Sequence, residues 1–448
     1  LATGFVLMNF RSFINKQLSL FEFFFWPVIT LPMLVFLGWG TFSAVEKEFH
    51  NNLSQQLHAA LSANTQSFRI WADEKKVDAR VLVEQPATHS KLLALIQRAQ
   101  TKGENPKDQA ESSELEWLRE HLGRACREYG FIGFVVLDST GLQVGALLEE
   151  PVGKRELMER SDFFQRSMQG DTVVSKPFFA ETPLPDLNGK MRAVKATMFI
   201  STPILDKNGT IAGVLALRNR PLVDFSRKLE IGRFGKSGET YAFDETGTML
   251  SDSRFNDQLR QIGLLPANPD SNAILEIQVR DPGVNLTKGL RATLPCEHQP
   301  LTLAVKSAIK GESGENLDGY NDYRGVPMVG AWTWLPDYAI GVVTEIDVDE
   351  AYAPLRTLNL WFFLIFILLV VATIIAIVLR VGQRRLEKER ESTFLRLQDS
   401  EAKIQAVMNG AQEGIITIDS KGVIETFNRE AAEMFGYSSR EVIGENVS

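Results

Sequence analysis

Four aspartates share one setting, and their carboxylates are the first candidates for chemistry. Apolar residues run into Asp138, Asp206, Asp244 and Asp419, a glycine follows three positions later (Gly141, Gly209, Gly247, Gly422), and a second apolar run leaves. A carboxylate set for calcium needs several acidic residues at alternate positions, which these segments lack. Asp also accepts hydrogen bonds from the backbone of a turn, and Gly takes the positive φ that such a turn needs. Asp-x-x-Gly between apolar runs therefore predicts a hairpin connection with structural aspartates. The five histidines (His50, His58, His89, His121, His298) form no ligand set. His50 and His58, eight apart on one helix, lack a third ligand in register and are read as polar surface. Cys126 and Cys296 lack zinc-ligand spacing; a single bridge is one alternative, and two unpaired, buried thiols the reading adopted. No P-loop, nucleophile elbow, HExxH pair or GGDEF-type loop occurs, so no catalytic residue and no metal site is assigned.

A chain of 448 residues exceeds one ordinary core and predicts two to four domains. Its formal charge of −8 excludes a general nucleic-acid binder, which carries a basic face. The apolar residues are concentrated. Phe23 to Val45 is free of charge, as is Leu360 to Leu379. Helices of these lengths cross a hydrocarbon core of about 30 Å, and in lipid the backbone must be helical. The first run is longer than a signal-peptide core, and Trp39 and Phe42 do not suit a cleavage site, so it reads as a retained anchor. Arg11 and Lys16 precede the first span, while Arg380, Arg384, Arg385, Lys388 and Arg390 follow the second. Both flanks are therefore cytoplasmic, residues 46–357 lie outside, and the chain is multi-pass in a bilayer.

The elements that must position any site are legible in pattern. Phe49, Leu53, Leu57, Leu61, Phe68 and Trp71 recur at helical spacing, predicting a long helix after the first span. "HSKLLALIQRA" and "SSELEWLREHLGRACREYG" predict two more. From Phe131 onward, short β-branched and aromatic runs with Gly and Asp turns predict antiparallel strands. "DYRGVPMVGAWTWLPDYAIGVVTEID" reads as two long strands around a Leu-Pro-Asp turn. Trp332 and Trp334 fall on one sheet face, as core or dimer packing. "EIDVDEAYAPLRTLN" is then expected as the helix feeding the second span. The fold class is α+β.

The order of "GFVVLDSTGLQVGA", "RSDFFQRSMQGDTVVSKPFF", "MFISTPILDKNGTIAGVLALRNR", "GRFGKSGETYAFDETGTMLSDSRF" and "YNDYRGVPMVGAWTWLPDYAIGVVTEIDVDEAY" resembles the double Cache sensor domain of bacterial receptors. The resemblance covers about 46–357. It implies two PAS-like antiparallel-sheet modules, a distal one at about 125–225 and a proximal one at about 230–350. It also implies a small-molecule ligand on the distal sheet face. In amino-acid-binding members an Arg-x-Trp-Tyr stretch holds the ligand; here Arg160 fits the Arg, but Asp162 and Phe163 replace Trp and Tyr. A guanidinium still suits a carboxylate or phosphate. Arg160, Lys176, Arg192 and Lys195, walled by Phe163, Phe164 and Phe179, are the candidate pocket for a small organic anion. The alternative pairs Arg160 with a neighbouring acid and puts the phenylalanines in the core.

After the second span, residues 380–407 are charged and helix-forming, with Phe394, Leu397, Ile404, Met408 and Ala411 at 3–4 spacing broken by Glu401. A short coiled coil in a homodimer and a solvated helix are both compatible. "GIITIDSKGVIETFNREAAEMFGYSSREVIGENVS" resembles the opening of a PAS domain over about 408–448. Its later strands would complete the pocket, so no cofactor is assignable. The first residue, Leu1, and the short PAS segment read as part of a longer protein. The combined resemblance implies the front of a bacterial inner-membrane receptor of a two-component system, with a histidine kinase as the expected output. A cyclic-di-GMP enzyme is the alternative, then a chemoreceptor or a surface adhesin.

Overall fold

Helical periodicity in the sequence becomes a single helix, α1 (Ala2–Glu84), in the computed structural model. The backbone is described for all residues except 1, 103–109, 149–150, 156, 158–161, 180–183, 186–190, 193–195, 233 and 448. Side chains are described for the same residues less 2–28, 30, 31, 102, 184, 185, 191, 192 and 409. Residues 41–358 form one compact unit; residues 1–40 and 359–448 form another.

In the first unit α1 buries Leu57, Leu61, Phe68, Trp71, Ala79 and Leu82, one stripe at 3–4 spacing. Burying a side chain such as Phe68 contributes about 1.5–3 kcal/mol. The Phe68 ring meets Phe225 edge-on at 5.3 Å and Tyr338 at 4.8 Å. Asn64 on the same stripe donates to the Thr240 hydroxyl (2.7 Å) and accepts from the Gly232 N–H (2.7 Å). Helices α2 (Pro86–Lys102) and α3 (Ser113–Glu128) follow, with Leu95, Ile96, Leu115 and Leu118 buried.

Two antiparallel sheets come next. The strands β1 (Gly133–Asp138), β2 (Gln143–Ala146), β3 (Val173–Val174), β4 (Phe178–Phe179), β5 (Leu184–Pro185), β6 (Met191–Arg192), β7 (Ala196–Leu205) and β8 (Ile211–Asn219) make up the first sheet module, termed distal after the resemblance. Its sheet runs β2-β1-β8-β7-β3, with β4 also on β7 and β5-β6 a separate pair. Helices α2 and α3 lie so close to it that a Cβ on Gly145 would come within 2.6 Å of Leu95 Cδ2. The proximal sheet runs β10-β11-β12-β9, from β9 (Glu239–Phe243), β10 (Gly314–Asn321), β11 (Pro327–Leu335) and β12 (Ile340–Asp347). Trp332 is buried there and Trp334 packs partly buried against the same cluster.

The other unit contains the expected hairpin, β13 (Ile416–Ile418) and β14 (Ile424–Phe427), and a helix at Arg429–Phe435 capped by Asn428. One continuous helix covers Ala353–Gly410. Its segment Ala353–Met408 is, among the described residues, the one helix long and apolar enough to cross a membrane. The expectation of two such helices is corrected to that extent: residues 23–45 run as helix within α1, but the side chains of 23–28, 30 and 31 lie outside the described residues. Two further expectations change. Glu345 to Asp347 end strand β12 rather than open a helix, because they keep pairing with Met328 to Gly330. Cys126 and Cys296 are both free, but only Cys126 is buried.

Each Asp-x-x-Gly phrase is a closed turn. The first carboxylate oxygen of Asp138 accepts the N–H groups of Thr140 and Leu142 (both 2.9 Å), and Gly141 has φ 81°. Asp206, Asp244 and Asp419 repeat the pattern on Asn208 and Thr210, Thr246 and Thr248, and Lys421 and Val423. A fifth copy, unnoticed in the sequence, is Asp322 with Arg324, Gly325 and Val326. Asp138→Ala should cost about 1–3 kcal/mol in chemical denaturation, since two backbone donors and the Thr140 hydroxyl lose their acceptor. Asp138→Asn keeps that oxygen and should cost less than half as much, with no response to a chelator. Equal losses for the two variants would contradict the turn role.

Candidate functional site in the distal module

One face of the distal sheet is set by cross-strand register. Arg218 on β8 lies opposite Gly133 on β1 and Phe199 on β7; Ala216 lies opposite Val135 and Ser201. Directly opposed residues of antiparallel strands share a face, so these side chains line one surface. The short helix α4 (Phe163–Met168) lies over it. Phe163 faces Phe199 at 5.7 Å, Phe178 faces Phe199 at 5.8 Å, and the Ser167 and Ser201 hydroxyls bond at 2.8 Å.

Arg218 is the anomaly on this surface. It is 8% exposed, and its guanidinium lies 5.0 Å from the Phe199 ring centre. Among the described residues no carboxylate pairs with it, and its Nη1 is buried without a hydrogen-bond partner. Burial alone pushes its pKa down to about 10. The Thr197 hydroxyl, two positions from Phe199 on the same face of β7, is likewise buried and unpartnered, as is the Nε of Arg220. Gly133 contributes no side chain opposite Arg218, and a cavity of about 30 Å³ adjoins it, lined by Gly133, Val135, Ala146, Leu148 and Pro151. A buried cation without a counter-charge costs several kcal/mol. A guanidinium fork matches a carboxylate or phosphate in charge and geometry.

The residues singled out in the sequence are distributed differently. Phe163 and Phe164 are buried in the main core, where Phe163 belongs to the aromatic ladder over β7. Lys176 reaches across to the proximal module and donates to both oxygens of Glu245 (2.8 and 2.6 Å). Partial burial alone would push the Glu245 carboxyl up, but the Lys176 hydrogen bond brings it below its ordinary value. The pair borders a cleft of about 860 Å³ that also touches Asp162, Phe179 and Gln278. Arg160 and Lys195 lie outside the described residues, as does the side chain of Arg192, whose backbone forms part of β6. His58 is paired with Glu315 at 3.3 Å, and His50 meets the Tyr352 hydroxyl at 3.3 Å. Sequence reasoning missed Arg218. Its signal was available in "GVLALRNR", where Val214, Ala216 and Arg218 alternate onto one face and the third is charged.

Residues 43–355 match the family model of the Cache domain, and residues 402–448 that of the PAS fold. Similar solved structures include the sensor domain of the Vibrio cholerae histidine kinase DctB. It shares 13% identity at a TM-score of 0.39, covering 66% of this chain and 96% of that one. The ligand-binding domain of the Pseudomonas aeruginosa amino acid chemoreceptor PctB in complex with L-Gln shares 12% identity at a TM-score of 0.34, with coverages of 66% and 92%. The periplasmic domain of RsbU from Chlamydia trachomatis shares 14% at 0.33, with coverages of 68% and 99%.

Replacing the unpaired charge should reveal its cost. Arg218→Met keeps volume and removes the guanidinium, so the ligand-free protein should gain about 1–3 kcal/mol in denaturant unfolding. A loss of similar size would show that the guanidinium already has a partner.

Proposed function

We propose that this chain, which belongs to the Cache domain family, senses a small anionic solute outside the cell and relays its binding to the PAS fold that follows. Cache sensor domains are extracytoplasmic parts of membrane receptors, and the apolar helix after the domain fits that placement. The observation that carries the anion is Arg218, a buried guanidinium without a counter-charge among the described residues. Arg160, Arg192 and Lys195 belong to sequence segments adjoining α4 and β7 and are retained as further cations of the same site.

Residues 23–45 are proposed as the first span, supported by exposed Phe36, Leu37 and Trp39 on an apolar helical stretch. Residues 46–357 then lie outside, and both basic flanks lie within. A homodimer is supported by an exposed apolar stripe on α1, Ile70, Val77 and Val81, at spacings that recur on one helical face. The proposed output is a two-component histidine kinase, supported by the order of sensor, span, charged helix and PAS fold. Strand β12 continues through residues 348–351 into the helix that starts at Ala353, so displacement of the proximal sheet is carried covalently toward the PAS fold.

A panel of small carboxylates and phosphates, screened by thermal unfolding, tests the sensing role. A ligand at a hundred times its Kd should stabilise by about 2.7 kcal/mol. Arg218→Gln should abolish that response, and Arg160→Ala should weaken it. No response to any anion, or one indifferent to Arg218, would refute the proposal.

A further inference from the structure

The proximal module has the opposite imbalance: too many buried acids. Glu239, Asp322 and Glu345 are wholly buried, together with one guanidinium, that of Arg324. Arg324 Nε donates to Asp322 at 2.7 Å, and its Nη2 lies 3.5 Å from Asp347, which is partly exposed. Asp322 also accepts two backbone N–H groups. Glu239 accepts from the Ser253 hydroxyl (2.8 Å), the Arg254 N–H (2.6 Å) and the Tyr323 hydroxyl (2.7 Å). Glu345 accepts one bond, from the Tyr320 hydroxyl at 2.8 Å, and its Oε1 is buried without a partner. One cation cannot neutralise three buried carboxylates, and Glu345 accepts the fewest hydrogen bonds of the three.

We propose that the proximal module is a proton-operated switch in which Glu345 is neutral in the packed state and its ionisation loosens strand β12. The titratable and charged groups around it are Glu239 and Tyr241 from β9, Tyr320 from β10, Asp322, Tyr323 and Arg324 from the fifth Asp-x-x-Gly turn, and Asp347 on its own strand. Arg254 turns its guanidinium to the carbonyl groups of Gly238 and Gly235 instead. Gly330 lies opposite Glu345 and makes room for the Tyr320 hydroxyl, which a Cβ there would approach to 2.5 Å. Two residues past Glu345 the strand ends at Asp347. There Glu350 grips the Lys236 and Ser237 N–H groups (both 2.7 Å), just ahead of the helix at Ala353.

Burial first, then the negative charge of Asp322, raises the Glu345 pKa well above 4.5, while the Tyr320 hydrogen bond opposes the rise. The folded state therefore holds a proton that the unfolded state releases. Stability present below pH 4.5 is lost as pH climbs through the folded-state value. Buried Glu239 and Asp322 shift the same way and add to the slope.

The test uses the full 448-residue chain in lipid nanodiscs, with thermal midpoints measured from pH 5 to pH 9 and pH-difference infrared spectra of protonated carboxyl groups. The native chain should lose stability as pH rises; E345Q should lose less, by about 3–6 °C, and should lack one protonated-carboxyl band. Tyr320→Phe removes the bond that favours the ionised form, so the loss should move to higher pH. Should E345Q fail to fold, the Tyr320→Phe profile decides. Parallel profiles for the native chain and E345Q, a carboxyl spectrum that E345Q leaves unchanged, or an unmoved Tyr320→Phe profile overturns the proposal.

Discussion

A charge taken out of water must find a counter-charge, a hydrogen-bond shell or a change of protonation, and the two sensor modules meet that demand differently. In the proximal module Asp322 closes its own turn, pairs with Arg324 and thereby seats the guanidinium 3.5 Å above the Phe255 ring. In the distal module Arg218 sits over Phe199 with its Nη1 unpartnered among the described residues. Two antiparallel sheets of different strand order thus carry opposite charge imbalances. The packed core around each fixes the position of the charge.

Turn chemistry makes those faces reproducible. In all five Asp-x-x-Gly turns one carboxylate oxygen takes the N–H groups two and four positions on, and the aspartate N–H returns to the carbonyl four positions on. In the β7–β8 hairpin that closure, at Asp206, sets the register, and a slip of one residue would turn Arg218 to the opposite face. The Asp322 copy differs because its second oxygen is spent on Arg324, so the turn also anchors the buried network.

Much of the fold was legible in the sequence because periodicity is local. The stripe from Phe49 to Trp71 announces the outer part of α1, and alternation around Trp332 and Trp334 announces β11. Element ends were harder. "EID" looks helical beside "VDEAY", yet pairing with Met328 to Gly330 keeps it in strand β12. The candidate site was legible only in part, because its neighbours converge from distant segments. Arg218 meets Gly133 and Phe199 only once three strands are paired, and Glu345 meets Tyr320 across a glycine on an intervening strand. Lys176 looked like a pocket cation, but Glu245, 69 positions away, accepts both of its bonds to the proximal module.

The most direct measurement is a crystal structure of residues 43–355 bound to whichever carboxylate or phosphate stabilises the protein most. The account predicts the anionic group within hydrogen-bonding distance of the Arg218 guanidinium, over the Phe199 face of the distal sheet. An anion bound elsewhere, with Arg218 paired to a carboxylate of its own chain, would contradict it.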